Sequence, residues 1–212
     1  MSGRDPLDLG FPGSVRSLAP GGDEPVAIPG LRYIPGFVDE PWEAELLAAI
    51  DAQPWLGDLK RRVQHYGYRY DYKARTVDPS MYLGPLPDWA RPLVARLTDG
   101  NLMPSAPDQL IVNEYEPGQG ISAHVDCVPC FGPVICSVTL GSSCMMRFTA
   151  EADERREWLF LERGSLLVLA GPARYEWRHS IPARKSDHVG DQVISRGRRV
   201  SLTFRTVEGA AA

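Results

Sequence analysis

The chain has 212 residues, 43% of them apolar, and a formal net charge of −4. That length and apolar content suffice for one domain with a real core. No run approaches the roughly 18 uninterrupted apolar residues of a membrane span, and the mildly acidic balance does not announce nucleic-acid binding.

Residues 1–28 are rich in Gly, Pro, Ser and Asp with little apolar periodicity and read as a flexible tail. No basic segment followed by an apolar stretch opens the chain, so no signal peptide is expected. A single domain is expected over residues 29–208, with 209–212 as a second tail. Leu31 to Val38 suits a first strand, closed by Pro35-Gly36. Asp39-Glu40-Pro41 then reads as a helix start, with proline in the first turn and acids near the positive end of the dipole. Trp42, Leu46, Leu47 and Ile50 form the apolar stripe of that helix.

The next segment, residues 60–76, is unusual in composition. Lys60, Arg61 and Arg62 make a basic cluster, and Tyr66, Tyr68, Tyr70 and Tyr72 share one strand parity while Arg69, Asp71 and Lys73 share the other. Interleaved rings and cations suit a flipped base, through stacking and phosphate contact. The same pattern suits an amphipathic hairpin whose tyrosines simply pack, because strands favour tyrosine. His65 is either a substrate contact or a surface histidine. A second helix is expected after Pro87, through Trp89, Leu93, Val94 and Leu97 to Gly100.

Gln109 to Tyr115 reads as a strand ended by the turn Glu116-Pro117-Gly118-Gln119-Gly120. Asn113 and Tyr115 share a parity and can reach one cavity. His124-Val125-Asp126 then puts an imidazole and a carboxylate two residues apart, on one face of an extended strand. The strand-like Ser165–Leu169 is followed by a Gly-Pro turn and then His179. Two histidines and one carboxylate on one side of a metal leave the opposite side open, the arrangement of non-haem Fe(II) oxygenases. His188 is a poor rival to His179, since it lies in a polar loop where Asp187 and Asp191 read as turn residues. In Arg199–Arg205 the residues alternate: Arg199, Ser201, Thr203 and Arg205 form a polar stripe, and Val200, Leu202 and Phe204 an apolar one. Two planar guanidinium forks beside a metal suit a small dicarboxylate.

The four cysteines suit a reducing compartment rather than a disulfide scaffold, and a cytoplasmic protein is expected. Cys127-Val128-Pro129-Cys130 has no second paired motif to complete a zinc site, so ordinary thiols are expected there.

Five blocks together resemble the AlkB family of Fe(II)/2-oxoglutarate dioxygenases: Val112–Gly118, Ile121–Asp126, Cys136–Gly141, Trp177–Ile181 and Arg199–Arg205, in order and spacing. Lys60–Tyr68 adds a narrower likeness to the catalytic domain of the eukaryotic AlkB homologue that modifies wobble uridine in tRNA. The resemblance implies a mainly β fold with flanking helices, a double-stranded β-helix or jelly roll, with residues 60–76 as a nucleotide-recognition lid. It implies iron held by His124, Asp126 and His179, and dioxygen and 2-oxoglutarate as co-substrates. Arg199 and Tyr115 would take the distal carboxylate of 2-oxoglutarate, with Asn113 and Arg205 near its chelating end and Ser201 also among the residues that bind it. It implies a nucleic-acid partner, DNA or RNA, single-stranded or with its base flipped out, contacted by Arg62, His65, Tyr68, Arg69 and Tyr70. A monomer is expected. The implied activity is oxidative dealkylation of a nucleobase; the alternatives are hydroxylation of a modified tRNA uridine, or of a small-molecule or protein substrate. Two positions depart from the family: Val128 stands where the bacterial repair enzymes carry an acid, and Ser201 stands in place of an asparagine.

Overall fold

Two antiparallel sheets face one another in the computed structural model, which describes residues 27–57 and 60–209. The tails expected over 1–28 and 209–212 lie almost wholly outside the described residues. The elements in chain order are β1 (Leu31–Ile34), α1 (Glu40–Asp51), β2 (Val63–Tyr66), α2 (Arg91–Asp99), β3 (Gln109–Tyr115), β4 (Ile121–His124), β5 (Val134–Leu140), β6 (Cys144–Ala150), β7 (Arg156–Leu161), β8 (Leu166–Ala170), α3 (Gly171–Tyr175), β9 (Trp177–Ile181), β10 (Ser186–Val189), β11 (Gln192–Ser195) and β12 (Arg199–Arg205). The larger sheet runs β1-β8-β5-β12-β3-β2 and the smaller β4-β9-β6-β7, with β10 and β11 as a separate hairpin. This is the expected jelly roll, helices flanking one sheet. No helix among the described residues is long and apolar enough to cross a membrane.

The larger sheet has two working faces because side chains alternate along each strand. Val200, Leu202 and Phe204 of β12, with Leu110, Val112, Cys136, Val138 and Leu166 of its neighbours, pack against Leu46 and Ile50 of α1 and Leu93 and Leu97 of α2. The opposite parity turns inward. Ile135, Leu167 and Leu169 join Met146, Phe148, Leu159 and Trp177 of the smaller sheet in a second core between the sheets. Arg199, Ser201, Thr203 and Arg205 face that interior too, so the polar stripe of β12 is buried, not solvated.

Helix α1 begins as expected, with the Asp39 carboxylate accepting from the Trp42 N–H at 3.0 Å. Its surprise is Glu43, 1% exposed, which accepts from the Gly141 N–H at 2.6 Å and pairs with Arg163. A one-turn 3₁₀ segment, Asp88–Ala90, precedes α2. The Gly-Pro turn expected before His179 is instead the start of α3, with proline in its first turn.

Two further expectations are corrected. Cys127 and Cys130 are not free thiols. The turn after β4 brings their Cα atoms within 5.3 Å and they form a disulfide, leaving Cys136 and Cys144 as buried free thiols. Asp187 is not a turn residue. It sits in β10, 1% exposed, and accepts from Arg196 Nε at 2.6 Å, Arg184 Nε at 2.7 Å and the Met145 N–H at 3.0 Å, tying the β10–β11 hairpin to β6. Burial pushes its carboxyl up, but Arg196, the Met145 N–H and Arg184 together hold it below the ordinary carboxylate range. A carboxyl lowered in the folded state gives stability that is full above its unfolded pKa, about 3.9, and is lost as pH falls through the folded value. Asp187→Asn is therefore expected to cost roughly 2 kcal/mol at neutral pH and to flatten the loss of stability below about pH 4. Thermal melts between neutral and strongly acid pH check this; parallel curves for both proteins would contradict it.

Candidate metal centre and its cavity

The smaller sheet and the loop after β4 bring His124, Asp126 and His179 together. His124 and His179 are direct cross-strand partners between β4 and β9, their ring centroids 4.4 Å apart. Asp126 lies just beyond the end of β4, so the strand period alone does not aim it. It is aimed by Arg205, whose Nε donates to Asp126 Oδ2 at 3.0 Å, while Asp126 Oδ1 lies 3.4 Å from His124 Nε2. One ligand atom from each of the three residues falls within 4.8 Å of the others.

The protonation states suit a metal. Burial pushes the Asp126 carboxyl up, but Arg205 and the two imidazoles outweigh it and hold the group well below the ordinary carboxylate range, as an anion. His179 is pushed down to about 4 by burial, reinforced by His124, and so is neutral at physiological pH. His124 Nδ1 lies 2.8 Å from the Ser122 carbonyl, which accepts an Nδ1–H and orients the ring with Nε2 toward Asp126. Two imidazoles, that of His179 neutral, and one carboxylate, clustered on one side, fit the facial set of a ferrous site.

These ligands open into a cavity of about 570 Å³ between the sheets. Asn113, Tyr115, Arg199, Ser201 and Arg205 all line it, brought level by the registers Arg199↔Tyr115 and Ser201↔Asn113. The two arginines differ. Arg205 is engaged by Asp126 and by Gln109 Oε1 at 3.2 Å. Arg199, 3% exposed, donates to Thr139 Oγ1 at 2.8 Å, yet its buried Nε has no hydrogen-bond partner among the described residues. A buried guanidinium with an unmet donor, beside the Tyr115 ring, fits the distal carboxylate of a dicarboxylic acid. The expectation that both forks face that ligand therefore narrows to Arg199, with Arg205 orienting the metal carboxylate.

The lid is irregular where an extended hairpin was one of the open readings. Gly67, at φ +75°, ends β2, and a Cβ there would lie 1.7 Å from the Asp108 carbonyl oxygen. The tyrosines consequently do not share a face. Tyr66 packs edge-on against Trp89 on the helix side, and Tyr68 against Tyr82, with ring centroids 5.0 Å apart. Only Tyr70 and Tyr72 reach the cavity, as a T-shaped pair 5.0 Å apart. Of the residues assigned to substrate, Tyr70 alone lines it. Arg62 pairs with Glu114, His65 lies 5.8 Å edge-on from Tyr72, and the Arg69 backbone N–H donates to Met81. Lys60, Arg61 and Arg75 line the cavity on this side; Arg61 is the one whose Nε donates to Asn113 Oδ1 at 2.8 Å and whose guanidinium lies over the Tyr115 and Tyr72 rings. Arg61 and Arg62 are adjacent, so only one can face inward, and the register Val63↔Asn113 selects Arg61. Tyr72 was visible in the tyrosine run; Arg61 had no signal separating it from its neighbour.

Comparisons with known proteins agree with this geometry. Residues 52–205 match the 2OG-Fe(II) oxygenase superfamily. The chain is 41% identical to an Arabidopsis thaliana protein named "Alkylated DNA repair protein ALKBH8 homolog", over 87% of this chain and 60% of that one. It is 36% identical to the Mus musculus "tRNA (carboxymethyluridine(34)-5-O)-methyltransferase ALKBH8", over 84% of this chain and 30% of that one. It thus spans less than two thirds of either relative. An uncharacterized protein of Acanthamoeba polyphaga mimivirus, L905, is 32% identical, over 84% of this chain and 85% of that one. Among solved structures, OsALKBH1 shares the fold with a TM-score of 0.65 at 17% identity, covering 84% of this chain and 97% of that one.

Proposed function

The chain belongs to the 2OG-Fe(II) oxygenase superfamily, and from that premise we propose that it oxidises a modified nucleobase in DNA or RNA. It is a dioxygenase that uses Fe(II), 2-oxoglutarate and dioxygen. When bound, iron with these co-substrates supplies the oxidising power for C–H hydroxylation. The protein's own residues do the rest. His124, Asp126 and His179 would hold the metal, and Arg199 with Tyr115 would anchor the distal carboxylate of 2-oxoglutarate. Burial keeps the Tyr115 phenol protonated, able to donate. Arg205 keeps Asp126 ionised and aimed.

The observation that carries the nucleobase reading is that the paired rings of Tyr70 and Tyr72 line the same cavity as the metal ligands. Flat aromatic faces hold an unstacked base by stacking, and about 570 Å³ is ample for a small ligand site. Removal of an alkyl group is the leading reaction: hydroxylation of an N-alkyl carbon gives a hemiaminal that releases an aldehyde. Hydroxylation of a modified tRNA uridine is the second reading. Val128, at the position where the bacterial repair enzymes carry an acid, is 49% exposed and lies outside the cavity lining. A base read through an exocyclic amine is less favoured by that arrangement. The test is mass spectrometry of tRNA and of alkylated single-stranded DNA incubated with iron-loaded enzyme, 2-oxoglutarate and ascorbate. Loss of an alkyl group or gain of one oxygen atom on a base is expected. Succinate formation with every nucleic acid left unchanged would refute the reading.

Arg199→Ala is expected to weaken 2-oxoglutarate binding by about 1.5–3 kcal/mol, the worth of a hydrogen bond to a charged group, and chiefly to raise the KM for 2-oxoglutarate. An unchanged KM would mean that the co-substrate carboxylate lies elsewhere.

A further inference from the structure

A second groove, of about 600 Å³, lies beside the catalytic cavity and shares Lys60, Arg61, Gly120, Ile121, Ser122 and Ile181 with it. The two spaces therefore adjoin along β4, the edge strand of the smaller sheet. We propose that this groove carries the phosphate backbone of the nucleic-acid strand whose base enters the catalytic cavity; the inference rests on the nucleobase reading above.

The charge on the groove is one-sided. Lys60, Arg61 and Arg147 line it and, among the described residues, no acidic one does, although the chain as a whole carries a net charge of −4. Arg147 is the informative member. Its neighbours in β6, Met146 and Phe148, point into the core between the sheets, so strand alternation sends Arg147 to the outer face. Its guanidinium lies 5.8 Å from the centroid of the Trp158 ring, and its buried Nε has no hydrogen-bond partner among the described residues. A buried guanidinium donor left unmet calls for an anion, and a planar fork matches a phosphate.

The floor suits close approach of a backbone. Gly118 and Gly120 put no side chain into the groove, and a Cβ on Gly120 would lie 2.2 Å from the Ile181 carbonyl oxygen, so that floor cannot be filled. Ser122, Ala123 and Ser180 add only small side chains. Arg61 stands where the two spaces meet, held there through Asn113. A strand lying along the groove would pass Arg61 just where one base must turn inward to the tyrosines. A single strand, or one with its base extruded, meets that geometry; a stacked duplex does not.

The test is fluorescence anisotropy of fluorescein-labelled single-stranded RNA and DNA against the wild type, Arg147→Ala and Arg147→Lys, over a salt series. Wild-type affinity is expected to fall linearly on logarithmic axes of affinity and salt. Arg147→Ala is expected to weaken binding about tenfold on every sequence and to lower the slope by about 0.7, the share of one phosphate on a single strand. Arg147→Lys, which keeps the charge and guards against a folding artefact, is expected to restore the slope. An unchanged affinity and slope in Arg147→Ala overturns the groove assignment and leaves the nucleobase reading intact. Equal competition by poly-glutamate also overturns it, because the groove would then read charge alone. A wild type that neither binds nor modifies any nucleic acid ends both readings together.

Discussion

Asp126→Ala is expected to reduce succinate formation to the background of the metal-free protein, and to destabilise the fold before any metal is added. The two effects have separate origins. The first follows from removing the only carboxylate in a set whose other members are imidazoles. The second follows from Arg205. Both side chains are buried, at 8% exposure, and joined at 3.0 Å. Truncating the carboxylate leaves Arg205 with Gln109 as its remaining side-chain acceptor. Breaking a buried pair from one side costs about 3–5 kcal/mol, because the remaining charge stays desolvated; in a domain of this size that lowers the Tm by roughly 6–20 °C. Asp126→Asn separates the effects. Its amide oxygen still accepts from Arg205 and preserves shape, so it is expected to melt above the Ala variant while remaining without turnover. Succinate assays and melts of the metal-free proteins check both halves. Retained turnover in Asp126→Ala would end the metal assignment; equal melting of the Ala and Asn variants would end the account of Arg205.

The parts of this molecule legible in the sequence are those governed by local period. Arg199–Arg205 reads as alternating, and its parities do separate, one to the helix-side core and one to the cavity. His124 and His179 were legible because each belongs to a strand, and antiparallel pairing makes them neighbours. What escaped depends on facts no short window holds. The choice of Arg61 over Arg62 is made by the pairing of β2 with a strand some fifty residues away in the chain, as the bond from Arg61 to Asn113 shows (|i−j| = 52). The tyrosine parity fails because Gly67 takes a left-handed conformation against Asp108. Asp187 looked like a turn former: Arg184 and Arg196 are near it in the chain, but the Met145 N–H that fixes it against β6 is 42 residues away and becomes a neighbour only in the folded sheet. The same limit hid Glu43 inside an otherwise readable amphipathic helix, where its partners Arg163 and Gly141 come from distant strands and turns.

Arg174 was hidden most completely, in what reads as a turn, and it carries the second large prediction. It sits in α3, 2% exposed, and its guanidinium donates to four backbone carbonyls of one loop: Asp126 at 3.0 Å, Cys127 and Phe131 at 3.3 Å each, and Gly132 at 3.4 Å. Burial lowers its pKa, partly offset by the Asp126 charge. That loop begins at the metal carboxylate, so Arg174 is a positioning residue: it sets the backbone from which Asp126 projects, as Arg205 sets the side chain. Arg174→Ala leaves buried carbonyls without donors and is expected to cost at least about 3 kcal/mol. It is also expected to weaken metal binding by 10–100-fold, the usual effect of losing a group that orients a ligand. Arg174→Lys keeps a charge but presents its donors from one nitrogen, which cannot span four carbonyls. It is therefore expected to recover part of the stability and little of the metal affinity. Arg199→Ala provides the contrast, raising the KM for 2-oxoglutarate while leaving metal affinity unchanged. Titration of the variants with Mn(II), followed beside thermal melts of the metal-free proteins, separates positioning from mere stability. If Arg174→Ala melts early yet binds metal as tightly as the wild type, the clamp supports the fold alone and the loop finds its geometry without it.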